Sequence, residues 1–495
     1  MKLLFFILCV ALRADVVEQD AKNAKPSGLL AGVARADISP PVGIPQMNWG
    51  AQTHVEAVGI DPAGMKATAL VIGNGREKFA MVDIDILAIQ KMDDIPKRAS
   101  ELTGIPAANI RLGSTHTHAG PLLTSVKGPV GRDLSSLEPR FWNYWSVMAD
   151  KIVGAIVEAN SRLEPVHVGA MKGTGSINSN RRLRAASDRA QGVGVNPDGL
   201  VDRDLAVVRI DNASGKPLAV IVNFACHGTV MAWENKVISP DWMGMLRVTV
   251  EQALPGAKCL FFQGAAGNQG PVQGFTGDLN VAHRLGSILG HEAAALALRT
   301  ETVRREPKFE GFMESTAFIA KQPWRVLGPR DGTLRMSSSM IEVPRRKFTQ
   351  KDVAEMEKAT ADAARAVEPA RASGDPMRLH LAEARWRRFR DLAEQRKAPH
   401  NPDPVKVRIQ ALRIGEVAIV SMPGEPFAEI GIAVKKASPF PVTLFCGYSN
   451  GDGGEYMPVA DEYQHGGYEV DRTPYDPAAA AEVVRRLTAL VRSLQ

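Results

Sequence analysis

From Leu29 onward the chain breaks into short apolar runs separated by turn residues. The runs KATALVIG (66–73), KFAMVDIDILAI (78–89), NIRLGSTHTH (109–118), VHVGAMKG (166–173), LAVVRID (205–211), LAVIVNFACHG (218–228) and AKCLFFQGAAGN (257–268) are rich in Val, Ile, Ala and Phe and predict strands. Between some of them, PKRASELTG (96–104) and RFWNYWSVMADKIVGAIVEANS (140–161) place apolar residues at helical spacing. Residues 345 to 397 are alanine-rich and highly charged, which predicts a pair of helices broken at ASGDP, Ala372 to Pro376. Strand texture returns in VKVRIQALRIGEVAIVSMPGEPF (405–427) and VTLFCGY (442–448), and an alanine-rich helix ends the chain. The order fits no simple βαβ repeat. It predicts an α/β fold of mixed type: one large domain over 29–495 with a mixed sheet core and a helical insertion at about 345–397.

The first 28 residues have a different texture. Lys2 precedes an apolar run from Leu3 to Leu12, followed by Arg13, Ala14 and Asp15. That run is too short to span a bilayer and suits a signal-peptide core, so residues 1–14 predict export to a periplasm or the cell exterior. Residues 15–28 are polar and read as a linker.

Composition narrows the function classes. Hydrophobic content of 45% and charged content of 23% are those of a soluble globular protein, and a net charge of +6 over 495 residues is mild. The densest basic run, RWRRFR (Arg385 to Arg390), reads as a solvated helix face or a contact with anionic lipid. No aromatic-basic nucleic-acid module accompanies it, so no nucleic-acid partner is expected. Of four cysteines, Cys9 falls in the leader, while Cys226, Cys259 and Cys446 sit in or beside apolar runs and read as buried free thiols.

Only ten histidines occur, yet GSTHTHAGP places His116 and His118 one residue apart after an apolar strand. Two residues apart on a strand face the same way, so the rings can converge on a metal, or one can bind metal while the other handles protons; turn capping is the alternative. His227 in NFACHG and Glu425 in MPGEPF repeat the form, each following a strand and a turn. A structural histidine and a helix N-terminal acid remain their alternatives. The glycine-rich stretch GYSNGDGGEYMPVADEYQHGGYEV carries Tyr448, Tyr456, Tyr463 and Tyr468, four of only six tyrosines. A phenol can ligate a metal or donate to an oxyanion. The FFQGAAGNQGP loop (261–271) lacks the lysine of a phosphate-binding loop, and no Gly-x-Ser-x-Gly elbow is present.

GVARADISPPVG, GSTHTHAGP, VNFACHGT, SPDWMG, MPGEPF and SNGDGGEY with its following GGYE, in this order from Leu29 to Tyr468, resemble the catalytic domain of the neutral ceramidase family. The resemblance implies one zinc ion held by His116, His227, Glu425 and Tyr456, with His118 beside it, and Tyr468 and Arg181 on the substrate side; Arg181 is preferred to Arg182 in SINSNRRL. It also locates two departures. The family's serine near the metal falls on Gly270 and its aspartate on Asn268, and the family's C-terminal immunoglobulin-like domain has no counterpart here.

The implied activity is hydrolysis of an amide in an N-acyl lipid or other small amide, with zinc-activated water as nucleophile. The Gly270 departure leaves two other readings: a zinc-binding or surface protein that kept the fold without the chemistry, and an esterase or deacylase. The expected partners are a lipid or small-molecule substrate and, peripherally, a membrane surface. The oligomeric state is left open.

Overall fold

The computed structural model describes residues 24, 27–46, 48–121, 135–328, 330–399, 401, 403–451 and 455–495. The expected signal peptide, and all of the expected linker but Ala24, Ser27 and Gly28, lie outside these residues.

Two β-sheets face each other between outer layers of helices. The larger has eight strands: β1 (Leu30–Asp37), β2 (Lys66–Gly73), β3 (Lys78–Ile84), β4 (Ile110–Ser114), β5 (Glu164–Thr174), β6 (Asp204–Asn212), β7 (Pro217–Phe224) and β8 (Lys258–Gln263). Their order across the sheet is β8-β7-β6-β5-β1-β2-β3-β4. Neighbours run antiparallel except at the two edges, where β7 pairs with β8 and β3 with β4 in parallel. The second sheet orders β9 (Leu334–Val343), β10 (Val405–Ile414), β11 (Val417–Ser421) and β12 (Val442–Cys446), and its last pair is again parallel. The expected mixed-sheet core is therefore two sheets. The strand that completes the second one, LRMSSSMIEV, gives little apolar signal because three consecutive serines occupy its centre.

Strand alternation explains the layering, because successive side chains point to opposite faces. Leu70, Ile72, Ile221, Phe262, Ile419 and Leu444 fill the space between the sheets. The intervening residues Val71, Val82 and Ile84 instead pack on Phe141, Trp145, Met148 and Ile152 of helix Glu138–Ser161. Val220, Val222 and Phe261 pack on Trp242–Ala253 and Leu279–Arg299. Val420 and Phe445 pack on Ala428–Ala437 and Ala479–Arg492. Each large side chain so buried contributes about 1.5–3 kcal/mol. Cys226, Cys259 and Cys446 are free and buried, matching their apolar runs.

The charged region forms helices Gln350–Arg365, Val367–Ala372 and Pro376–Lys397. The break falls in ASGDP as the pattern predicts: Gly374 has a φ of 69°, and the Asp375 carboxylate accepts from the amides of Met377 and Arg378 to start the next helix. Much of the RWRRFR run is satisfied locally. Arg387 pairs with Glu383 and Arg390 with Asp391, while Arg385 lies over Phe389 and Arg390 over Trp386. Among the described residues no helix is long and apolar enough to cross a membrane.

Candidate metal centre

The chemistry-bearing residues gather at the carboxyl ends of the parallel strand pairs of the two main sheets. His116 and His118 follow β4, His227 follows β7, Glu425 follows β11 and Tyr448 follows β12. Loops at the carboxyl ends of parallel strands are the usual place for a site in such sheets.

The backbone after β4 is unusual. His116 has a φ of 65°, a left-handed conformation that costs a non-glycine residue about 1 kcal/mol or more. Its amide donates to the Ile86 carbonyl, and the next turn lies against Gly228, to whose carbonyl the His118 amide donates. A Cβ on Gly228 would lie 2.8 Å from the His116 carbonyl oxygen, which explains the glycine after His227. Thr117 Oγ1 donates to the Ser239 carbonyl, so the SPDW segment braces this turn.

The ring hydrogen bonds fix the protonation of two histidines. His116 Nδ1 lies 2.6 Å from the Leu87 carbonyl oxygen, and His227 Nδ1 lies 2.6 Å from that of Ala266. A carbonyl only accepts, so both Nδ1 atoms carry the proton and both neutral rings present a bare lone pair at Nε2. Those two Nε2 atoms are 3.2 Å apart. Glu425 Oε2 lies 3.3 Å from one and 3.1 Å from the other, and is buried without a hydrogen bond. His118 Nε2 is 3.3 Å from His116 Nε2. Electron pairs converge here with too few protons to share, which is the signature of a cation site. The donor nitrogens of His116, His118 and His227 all lie within 4.8 Å of one another.

The electrostatics agree. Burial, then the charge of Arg181, presses the His227 ring down to about 3, and burial with His116 and His227 holds His118 well below the imidazole range. Burial works to raise the Glu425 carboxyl, but the facing His116 and His227 rings hold it well below the usual carboxylate range. A metal needs its imidazole ligands neutral and its carboxylate ligand ionised, the states toward which His118, His227 and Glu425 are shifted.

The remaining expected residues take distinct places. Glu425 and Tyr456 are paired in register on two short parallel strands, which lays Tyr456 beside the carboxylate's backbone. Tyr456 is buried, its ring 5.7 Å from that of Tyr468 and 5.3 Å from the Arg181 guanidinium. Arg181 donates from Nε to Glu469 at 3.1 Å, and its buried Nη2 has no partner. Arg182, by contrast, spends its guanidinium on Glu462, Glu469 and the Gly466 carbonyl, which anchors the tyrosine loop. Tyr468 is half-buried between Arg388 of the helical insertion, 4.7 Å from its ring, and Arg472.

The small-residue loop after β8 approaches backbone. Gly267 donates to the Pro426 carbonyl, and a Cβ there would sit 2.4 Å from the Glu425 carbonyl oxygen. Asn268 is fully engaged: Oδ1 accepts from the Ala428 amide at 2.9 Å and Nδ2 donates to Glu429 at 2.9 Å. Gly270 pairs with Ser179 and faces Arg181, whose Cβ would be 3.2 Å from a Cβ at position 270.

The structure adds Tyr448 and Trp49. The Tyr448 ring lies 4.4 Å from that of His116, its φ is 52°, and its buried hydroxyl has no hydrogen-bond partner. Burial and then the Glu425 charge push its phenol well above the usual range. It follows an apolar strand as the histidines do, a signal present in the sequence. Trp49 stands 4.8 Å from the His118 ring, with Phe275 and Trp233 behind it. It lies in irregular chain that offers no periodic signal.

A family model described as neutral/alkaline non-lysosomal ceramidase, N-terminal, matches residues 29–281. Neutral ceramidase A of Dictyostelium discoideum is 30% identical over 171 residues, which is 33% of this chain and 24% of that protein. The neutral ceramidase of Pseudomonas aeruginosa is 24% identical over 398 residues, 74% of this chain and 57% of that one. The matches thus span between about a quarter and just over half of these curated relatives. The crystal structure of the Pseudomonas aeruginosa enzyme aligns with a TM-score of 0.62 at 20% identity, covering 95% of this chain and 74% of that chain. A ceramidase complexed with C2 aligns equally well, at 19% identity.

Proposed function

The chain belongs to the neutral/alkaline non-lysosomal ceramidase family of hydrolases, and from that premise we propose that it is a zinc-dependent hydrolase of the amide bond in an N-acyl lipid. The observation that carries the proposal is the convergence of the His116 and His227 Nε2 atoms and Glu425 Oε2 within 3.1 to 3.3 Å. Imidazole nitrogens with one carboxylate favour zinc over the oxygen-seeking magnesium and calcium. His116, His227, Glu425 and Tyr456 would hold the ion, which when bound supplies Lewis acidity to acidify water and polarise a carbonyl.

The chain's own residues do the rest. His118, neutral and packed on Trp49, is placed to take the proton from the attacking water and return it to the departing amine. Arg181, with one donor unspent, and Tyr468 face the oxygen on which negative charge grows, a role worth about 3 kcal/mol per donor. Arg388 on Tyr468 makes the helical insertion a border of the substrate side.

A lipid surface is supported by a β-ribbon at 305–326. Its strands Arg305–Pro307 and Trp324–Val326, then Phe312–Met313 and Ile319–Ala320, pair antiparallel. Phe309, Phe312, Phe318 and Trp324 on it are 54, 66, 74 and 56% exposed. Lys321 stands near these rings, while Lys308 and Arg325 pair with Glu310 and Glu306 of the same ribbon, so the exposed rings rather than the charge carry the lipid reading.

Gly270 favours a second reading, a metal-binding protein without amidase activity, because no hydroxyl stands beside Arg181 at that position. Zinc content and hydrolysis of N-acyl sphingosine, N-acyl amino acids and matching esters by the full chain decide between them. Amide cleavage lost on chelation and restored by zinc supports the proposal. A zinc-replete protein that cleaves none of the panel overturns it, and one that cleaves esters alone makes it an esterase.

A further inference from the structure

An open cleft of roughly 550 Å³, lined by none of the metal-centre residues, lies where the helical insertion meets the segment after β9. Its walls carry four cations, Arg345, Arg346, Arg396 and Lys397, and no acidic side chain. Basic side chains gathered on a concave wall raise the local concentration of anions.

Two of the four are set in place. Arg346 and Arg396 both pack against Phe348, with their guanidinium carbons 5.0 and 5.2 Å from its ring centre. Arg396 is only 8% exposed, and its buried Nε has no hydrogen-bond partner. Its remaining nitrogens are weakly engaged, Nη1 with the Asp352 carbonyl and Nη2 with Asp471, both at 3.3 Å. Arg346 spends one nitrogen on the Val470 carbonyl. Burial, then repulsion from Arg396, draws the Arg346 guanidinium below its usual range. Around the two guanidiniums, Asp471 reaches Arg396 at 3.3 Å and Asp352 lies nearby, while Glu357 pairs with Lys397; Arg396 Nε is left without a partner.

We propose that this cleft binds a tetrahedral oxyanion, a phosphate group, between Arg346 and Arg396 with Arg345 and Lys397 at its rim. Guanidinium forks match phosphate oxygens, and such charge-assisted bonds are the strong ones. The same two arginines hold Val470 and Asp471 on the short helix Tyr468–Arg472, so the anion would share its anchors with the segment that begins at Tyr468. The phosphate group has two sources, the free ion and a lipid headgroup.

Titration calorimetry on the full chain, with inorganic phosphate and with short-chain phosphatidic acid below its micelle concentration, tests the site. Saturable binding of inorganic phosphate, weakened about tenfold or more in R346Q/R396Q, supports it with the free ion as ligand. Binding of the phosphatidic acid alone, weakened likewise, supports it with a headgroup as ligand. R345Q/K397Q alters only the rim and is expected to weaken binding several-fold, so the test stands if the buried variant fails to fold. No binding of either probe up to about 10 mM, or equal binding in folded variants, overturns it.

Discussion

His116 and His227 face each other through Nε2 atoms 3.2 Å apart, and each donates its Nδ1 proton to a backbone carbonyl. Two lone pairs at that distance repel unless a cation lies between them. Zinc should therefore stabilise the fold, by about 2.7 kcal/mol when free metal is 100 times its Kd. His116→Ala should abolish the shift and the bound zinc together. Thermal unfolding with and without zinc, alongside metal analysis, checks both. A folded His116→Ala that still binds one zinc per chain would contradict the assignment.

Tyr448→Phe removes a buried hydroxyl beside Glu425 while keeping the ring that packs on His116. Partners of metal ligands typically alter affinity about tenfold or more when lost. We expect Tyr448→Phe to bind zinc about tenfold more weakly in chelator competition, with an unchanged circular dichroism spectrum. Unchanged affinity would reduce Tyr448 to packing.

The strands that deliver the site were legible because their apolar runs are short and end in marked turns. His116, His227 and Glu425 each stand just past such a run, so strand, turn and candidate ligand could be read together. Tyr448 follows the same form, yet three neighbouring tyrosines obscured it. The SSS core of LRMSSSMIEV hid a strand whose pairing with β10 decides its conformation, since the β10 register holds all ten of its residues. Trp49 was illegible for another reason. Only tertiary folding brings an irregular segment against His118, and no local pattern encodes that contact. Asn268 illustrates a third limit: its side chain serves the helix beginning at Ala428, 160 residues on.

Asp241 sets a pH dependence separate from the metal. Burial raises its carboxyl to about 7, against hydrogen bonds from Met231 and Trp242 that favour the charge. The folded chain then holds a proton between about pH 4 and 7 that the unfolded chain releases, so this group's contribution to stability falls as pH rises through that window. Asp241→Asn has no charge to bury, and its single amide oxygen can accept from only one of the two amides, a loss that is the same at every pH. It should flatten the decline, a difference of about 2–4 kcal/mol by pH 8. Denaturant titrations of both proteins at pH 5 and 8 give the comparison; parallel losses in the two would rule Asp241 out.

The exposed ribbon at 305–326 predicts a lipid contact that does not depend on catalysis. Phe312 and Phe318 stack 6.2 Å apart near its tip and contribute nothing to a core cluster. Phe312→Ser with Phe318→Ser should leave unfolding unchanged within about 0.5 kcal/mol, as expected for exposed positions. The same pair should lower partitioning onto vesicles containing phosphatidylglycerol by about tenfold. Flotation assays read the second effect. Equal flotation of the two proteins would place the lipid contact elsewhere.

Two glycines near the site separate a structural requirement from a chemical absence. At Gly267 a Cβ would meet backbone oxygen at 2.4 Å, so Gly267→Ala should destabilise the fold by about 2 kcal/mol or more and disturb Glu425. At Gly270 a Cβ would meet only the Arg181 side chain, at 3.2 Å, and position 270 has a negative φ that a serine adopts freely. Gly270→Ser should therefore fold. It would place a hydroxyl beside the aliphatic stem of Arg181, at the position where the family's resemblance puts its serine. If that hydroxyl donates to the growing oxyanion, kcat for an N-acyl amide should rise about tenfold while KM changes little, since the interaction forms only in the transition state. A matched fall in KM would instead mean that the hydroxyl binds ground-state substrate. No change in either constant would mean that Arg181 and Tyr468 already satisfy that oxygen.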